Sequence, residues 1–438
     1  MLIDIKFSNF RSFFDENVFS MKKGLKRELE NKIIKVKAGG EQFSLLPTKA
    51  IFGVNASGKT SLVLLFDLLK EIMISGYINN EGEVKNRLSF FFYLHEKEKY
   101  SSPMSIDISF IYDNNLYNYI LKFKNNNNFD NEPITFDVLY EELKFNNLVI
   151  FERNNNVINL NPNDSKKVLE LLDSDEHFLN KMEEMLKNNV DSFTVFTKWF
   201  NINKNILNGF RSFFDNNLII FNDIDEVEYN SKILDNNDYN IVRLNKAIIN
   251  LVKAADFGPQ KISFEVIDEL SNDNKPILFS HYDLHDEDAN ILYRLNIPSK
   301  NIESLGTIRL IKFLAPYLDA IIGGKVLVID ELDDSLHPEI MAAIIKTFAD
   351  PEINRKGAQL IFTTHNPVFL NEELLRRDEI MFVEKNNKTF ESTIFTLDDF
   401  DVRGDQKYLK NYLSQNYITF PDIDLSDIIL NLLDEKDI

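Results

Sequence analysis

Gly53-Val54-Asn55-Ala56-Ser57-Gly58-Lys59-Thr60 is the stretch on which the fold turns. It has the spacing G-x-x-x-x-G-K-[ST] of a phosphate-binding loop and lies between a short apolar run, Ala50-Ile51-Phe52, and an amphipathic segment that begins at Ser61. Each residue type in it has a task. The glycines let the backbone N–H groups of Asn55, Ala56, Ser57, Gly58 and Ser61 turn inward on the β- and γ-phosphates of a nucleotide. Lys59 adds a mobile positive charge, and the Thr60 hydroxyl can join the oxygen shell of Mg2+. Strand, loop and helix in this order predict an α/β fold organised around a nucleotide.

With 438 residues and 44% hydrophobic content, the chain has material for a sizeable core and for about three units of ordinary domain size. It has no cysteine, which removes disulfides, thiolate zinc sites and cysteine nucleophiles together. Residues 1–7 alternate like a strand and lack the basic-then-apolar build of a signal peptide. No apolar run approaches a membrane span, so a cytoplasmic protein with no membrane partner is expected. The net charge of −20 argues against direct nucleic-acid binding, because neutralising phosphates takes Lys and Arg. Acidity of this kind serves solubility or draws a basic partner protein.

Three regions are expected along the chain. Residues 1–160 read as an N-terminal lobe, mostly antiparallel strands: 2–7, 17–21 and 49–52, then 105–112 and 117–123 around the turn Asp113-Asn114-Asn115-Leu116, then 135–145 and 148–153. Residues 62–74 carry apolar side chains at helical spacing, stopping before Gly76. Residues 161–258 change period: Val168, Leu172, Phe178, Met182 and Met185 recur every three to four residues, as do residues near Trp199, so a helical insertion is expected, with a further helix at 244–255. Residues 259–438 read as a C-terminal lobe with strands at 325–329, 359–363, 380–384 and 392–397 and a helix at 338–348. Such alternation predicts parallel strands carrying functional residues at their C-terminal ends.

One of those ends is Val326-Leu327-Val328-Ile329-Asp330-Glu331. An apolar strand delivering two carboxylates suits a magnesium–nucleotide site: Asp330 for the metal's shell, Glu331 to polarise an attacking water. Before it lies Glu303-Ser304-Leu305-Gly306-Thr307, after it Leu332-Asp333-Asp334-Ser335-Leu336-His337-Pro338, and Thr363-Thr364-His365-Asn366 ends the next expected strand. Together with the N-terminal Phe7-Ser8-Asn9-Phe10-Arg11-Ser12-Phe13, this order resembles the ABC-type ATPase heads of the SMC, RecF and OLD families over nearly the whole chain.

The resemblance implies a mixed α/β head with an antiparallel N-terminal lobe and a helical insertion, in which two heads sandwich two ATP molecules and Mg2+. It implies that Ser304 and Gly306 reach the γ-phosphate held by the opposite subunit, that Asp333 lies on the loop crossing the interface, that His365 senses the γ-phosphate, and that Arg11 and Ser12 approach the nucleotide. Glu331, His365 and Lys59 are then the catalytic set. A serine hydroxyl and a close-approach glycine can stabilise transferred phosphoryl charge as an arginine finger would. The glutamine that such heads often carry after the phosphate loop has no counterpart between Ser61 and Ser109, and its role stays unassigned.

More narrowly, the run from Glu303 through Asn366 looks like the compact AAA-type ATPases of abortive-infection and anti-phage systems such as PARIS and Septu. That implies a sensor or scaffold ATPase, assembled as a dimer or higher homo-oligomer and controlling a separate effector such as a nuclease. The residues after His365 suffice for the last strands of the sheet, so no appended Toprim nuclease is expected. The alternative is a RecF-like repair ATPase that binds DNA directly, against which the charge speaks. A nuclease hidden in residues 164–239 is a third reading, but Asp173, Asp175, Glu183 and Glu184 have no recognisable metal spacing.

Weaker features read as structural. His281 and His285 are four apart in a charged, turn-like stretch, His337 braces the loop after Glu331, and Arg376-Arg377 and Lys22-Lys23 read as solvated basic faces.

Overall fold

The computed structural model describes residues 1–75, 92–93, 97–125, 136–155, 157–159, 168, 170, 206–221, 246, 249–250, 259–265, 277–334, 336–400, 407–420 and 426. The N-terminal strands are β1 (Leu2–Ser8), β2 (Asn17–Ser20), β3 (Ile34–Ala38), β4 (Glu41–Leu45) and β5 (Thr48–Phe52). Beyond the phosphate loop come β6 (Met104–Tyr112), β7 (Asn115–Asn125), β8 (Phe136–Phe145), β9 (Leu148–Asn154) and β10 (Val157–Asn159). Then follow β11 (Leu218–Phe221), β12 (Lys261–Glu265), β13 (Ile277–His285), β14 (Ile291–Pro298), β15 (Val326–Ile329), β16 (Gln359–Thr364), β17 (Ile380–Lys385) and β18 (Ser392–Thr396). The three helices that matter most are α1 (Lys59–Ser75), α2 (Leu305–Gly323) and α3 (Pro338–Ala349).

Two large sheets result. One is antiparallel throughout, in the order β10-β9-β8-β7-β6-β1-β2. The other is mixed, β11-β15-β16-β5-β17-β18, with β11 through β17 parallel and β18 antiparallel at the edge. The fold is therefore mixed α/β with a separate antiparallel lobe. A three-stranded sheet, β12-β13-β14, and the hairpin β3-β4 complete it.

The mixed sheet is buried on both faces, and period two decides which residue enters which core. Ile51, Val326, Val328, Ile361, Met381 and Val383 pack on the side of α1 and the antiparallel sheet. Their strand neighbours Ala50, Phe52, Leu327, Ile329, Leu360, Phe362 and Phe382 pack on the side of α2 and α3. Helix α1 buries Leu62, Leu65, Phe66, Leu69, Ile72 and Met73, the three-to-four spacing of an amphipathic helix. The α1 helix thus pins the phosphate loop between both lobes.

The asparagine-rich composition has a local use. Asp113-Asn114 and Asn146-Asn147 form the two-residue hairpin turns of β6–β7 and β8–β9, all four with positive φ, a conformation that Asn and Asp tolerate better than most residues.

Several expectations are corrected. The strand before the phosphate loop, read with the N-terminal lobe, is the centre of the mixed sheet, between β16 and β17. Leu218–Phe221, inside the stretch read as a helical insertion, pairs with β15 as the sheet's edge strand. Its apolar tetrad is too short for periodicity to reveal it. His281 and His285 lie on a regular strand, β13, not in a turn. Arg376 and Arg377 are buried: Arg376 makes a bidentate pair with Asp378 at 2.8 and 2.7 Å, and Arg377 meets Glu28 at 2.9 Å. Lys22 is exposed as expected, though it pairs with Asp4, while Lys23 is half-buried and pairs with Glu30. Most of residues 164–205 and 222–258, with the acids weighed for a nuclease and the cap at Gly76, lies outside the described residues. Among the described residues no helix is long and apolar enough to cross a membrane.

Candidate functional site

The phosphate loop leaves β5 and enters α1 through a backbone that most residues resist. Ala56 and Gly58 have φ of 61° and 120°. A Cβ on Gly58 would lie 3.0 Å from Ser392 Oγ and 3.2 Å from Phe13, and one on Gly53 would lie 2.6 Å from the Val383 carbonyl, so Gly53 answers to close packing and Gly58 to close packing and φ together. The first turn of α1 has no acidic residue, which leaves its N-terminal dipole uncompensated and open to an anion.

Lys59 is buried at the root of the loop. Its Nζ donates to the carbonyls of Gly53 at 2.7 Å and Val54 at 3.0 Å and lies 3.4 Å from His365 Nδ1. Burial pushes its pKa down to about 8, against the opposing pull of Asp330, Glu331 and Asp333. The carbonyls hold the ammonium where incoming phosphate oxygens would replace them as partners.

Two strands away, β15 ends at Asp330 and Glu331. The Thr363 hydroxyl on β16 ties them together: it donates to Asp330 Oδ1 at 2.5 Å and accepts the Glu331 N–H at 2.7 Å. Glu331 has φ of 49°, a left-handed conformation that costs energy for a non-glycine residue and turns the chain sharply at the strand end. Its Oε1 lies 3.5 Å from His365 Nε2, and both side chains are partly exposed. Asp333 accepts the His365 N–H at 3.1 Å. Three adjacent parallel strands, β15, β16 and β5, thus deliver Glu331, His365 and Lys59 to one place.

That place is a cavity of about 540 Å³. Its walls are Arg11, Ser12, Asn55, Ala56, Gly58, Lys59, Thr60, Ser61, Phe92, Glu331, His365 and Lys385. Arg11, with φ of 52°, is held in the turn after β1, where burial depresses its pKa. Ser392 Oγ lies 2.6 Å from the Ser57 carbonyl and 2.8 Å from Ser12 Oγ; its single proton goes to the carbonyl, so Ser12 supplies the other hydrogen bond. Gly53 and Ser57 shape the loop without lining the cavity, and Asp330 faces Thr363 behind it. Thr60 and Asp330 are hard oxygen donors, the chemistry Mg2+ prefers when one or two protein ligands share it with phosphate and water. Among the described residues no group of three or more His, Asp or Glu forms a metal cage.

Ser304, Gly306 and Asp333 are placed differently. Ser304 caps α2, accepting the Thr307 N–H at 3.1 Å, and is exposed with Leu305 beside it at 71% exposure; neither Ser304 nor Gly306 lines this cavity. Asp333 spends its carboxylate on the His365 amide of its own chain.

Sequence reading missed Arg309. It sits among Ile308, Leu310 and Ile311 on the buried face of α2, pairs with Asp334 and donates to the Glu331 carbonyl at 2.9 Å. A charged residue inside an apolar stripe was its only signal. Lys385, Phe92 and Ser392 were missed because they reach the loop from distant parts of the chain.

A family model described as "AAA domain, putative AbiEii toxin, Type IV TA system" matches residues 50–371. Among solved structures, the chain is similar to one described as the "SmcHead bound to the C-winged helix domain of ScpA", with 12% identity, coverage of 90% of this chain and 97% of that one, and a TM-score of 0.42. It is also similar to an SMC head domain from Thermotoga maritima, with 12% identity, coverage of 90% and 98%, and a TM-score of 0.37. No curated protein matches.

Proposed function

The chain belongs to this family of AAA domains, and on that footing we propose that it is a Mg2+-dependent ATPase whose heads pair around ATP and which serves as the sensor or scaffold subunit of an anti-phage system, controlling a separate effector such as a nuclease. One observation carries the reading most: Lys59, Glu331 and His365 converge from adjacent strand ends on a single cavity beside the phosphate loop.

The loop amides and Lys59 hold the β- and γ-phosphates at the positive end of α1. Thr60 and Asp330 would hold Mg2+, which supplies charge neutralisation when bound. Glu331 orients a water and takes its proton, and His365, fixed by Asp333, stands between that carboxylate and the phosphate side of Lys59. Ser304 and Gly306 stand at the start of α2, outside this cavity, where a second chain's γ-phosphate would meet them in a paired assembly. Hydrolysis then depends on assembly, which suits a sensor. The acidic charge favours a protein effector over DNA.

In the Glu331→Gln protein, which should bind ATP without turning it over, ATP addition should shift the solution mass to at least a dimer. Absence of both ATP binding and the mass shift would refute the reading.

A further inference from the structure

The strand order of the mixed sheet also orders the cavity from end to end. Glu331 and His365 follow β15 and β16, on one side of β5; β17 lies on the other side of β5, and its last residue is Lys385. Glu331 and His365 mark the γ-phosphate end, and the loop after β5 takes the middle of the phosphate chain. A nucleotide extended across the strand ends therefore brings its nucleoside to the β17 flank.

Lys385 is fixed against the loop at that flank. It pairs in register with Ser392 on β18, and Ser392 hydrogen-bonds the Ser57 carbonyl of the phosphate loop at 2.6 Å. Cross-strand partners stand about 5 Å apart, so Lys385 rises one strand spacing from the loop. It is half-buried, it lines the cavity with Arg11 and Ser12, and among the described residues its ammonium meets no carboxylate. Its ammonium lies over the Phe390 ring, 6.0 Å from the centroid. An ammonium that lines a cavity and meets no carboxylate among the described residues can take its partner from a bound ligand. An ammonium offers donors only, so that partner is an acceptor.

Resting on the ATPase reading above, we infer that Lys385 is a nucleotide-binding residue at the nucleoside end of the cavity, where its ammonium donates to acceptor atoms of the ribose or base and works independently of the Lys59 contact to the phosphates.

The test is equilibrium binding of ATP, ADP and inorganic tripolyphosphate, each with Mg2+, to the full chain and to the Lys385→Ala and Lys388→Ala variants, with thermal unfolding to show that all are folded. Lys388 is exposed on the same hairpin and controls for bulk charge. Lys385→Ala should weaken ATP and ADP by the same factor, roughly ten-fold for one charged hydrogen bond, leave tripolyphosphate unchanged, and differ from Lys388→Ala, which should match the parent. Unchanged ATP affinity in Lys385→Ala, an equal loss for tripolyphosphate, or an equal loss in Lys388→Ala would overturn the assignment. Failure of the parent chain to bind ATP would instead remove the ATPase reading, and this inference with it.

Discussion

The phosphate loop and the start of α2 carry the two best-defined polar motifs of the chain, yet they are built in opposite ways. Around the loop, polar groups are committed within the chain: Lys59 to two carbonyls, Thr363 to Asp330 and Glu331, Ser392 to Ser57. At the start of α2, Ser304 serves only its own helix cap and stands exposed beside Leu305. A pre-organised cavity binds ligand with little ordering cost, whereas the exposed start of α2, its hydroxyl engaged only in its own cap, gains a ligand role only when something is brought to it. The difference motivates the proposal that one chain binds the nucleotide while turnover needs two.

Arg309 joins the two regions. It rises from the buried face of α2 five residues after Ser304 and ends on the Glu331 carbonyl and Asp334. Arg309 thereby ties α2 to the left-handed turn that holds Glu331.

The comparison breaks most severely at Glu331. Glu331→Gln should lower turnover by about 10²- to 10⁴-fold, the contribution of a general base, with ATP affinity retained; phosphate release and equilibrium binding measured on one preparation separate the two. Next is Lys59→Ala, which should cost roughly a hundred-fold in ATP affinity as read by calorimetry, while leaving the α2 region unaffected. Arg309→Ala should destabilise the chain by about 1–3 kcal/mol, since carbonyl and carboxylate partners lose a charged donor. Denaturant unfolding measures that loss, and turnover should fall further than ATP affinity.

The smallest expected effect is a pH dependence. Lys59 titrates near pH 8 in the free fold and near 10.5 when unfolded. Between those values the unfolded chain holds more protons, so this group's contribution to stability rises with pH across the window and is lost as pH falls through about 8. Bound triphosphate favours the charged lysine, so ATP affinity should decline as pH rises through about 8, with proton uptake visible as calorimetric heats that change with the buffer. A flat profile from pH 7 to about 9 would mean that Lys59 stays charged without nucleotide.

What the sequence made legible was local. The octet from Gly53, the acidic pair after β15 and His365 are legible from spacing and an adjacent strand, and the cavity takes in five residues of the octet, Glu331 of the pair and His365. What stayed hidden depends on partners far along the chain. Arg376 and Arg377 read as a solvated pair because, beyond the neighbouring Asp378, the groups that enclose them, Glu28 and the Lys26 carbonyl, come from the N-terminal region. Lys49 sits fully buried in β5, where desolvation pushes its pKa down to about 8 while its ammonium donates to the Asp378 carbonyl at 2.5 Å. The strand Leu218–Phe221 was invisible for a related reason: four apolar residues become an edge strand only once β15 lies beside them.

The proposal that one chain holds ATP and a second completes its hydrolysis is tested most directly by mixing two inactive proteins. Lys59→Ala keeps Ser304 but should bind ATP about a hundred-fold more weakly; Ser304→Arg should bind ATP but block its partner's site. Each alone should turn over ATP at background rate, and a one-to-one mixture should recover activity, because the Lys59→Ala chain presents its intact Ser304 and Gly306 to ATP held by the other. Full activity of Ser304→Arg alone, or a mixture no more active than its separate components, would contradict a site shared between chains.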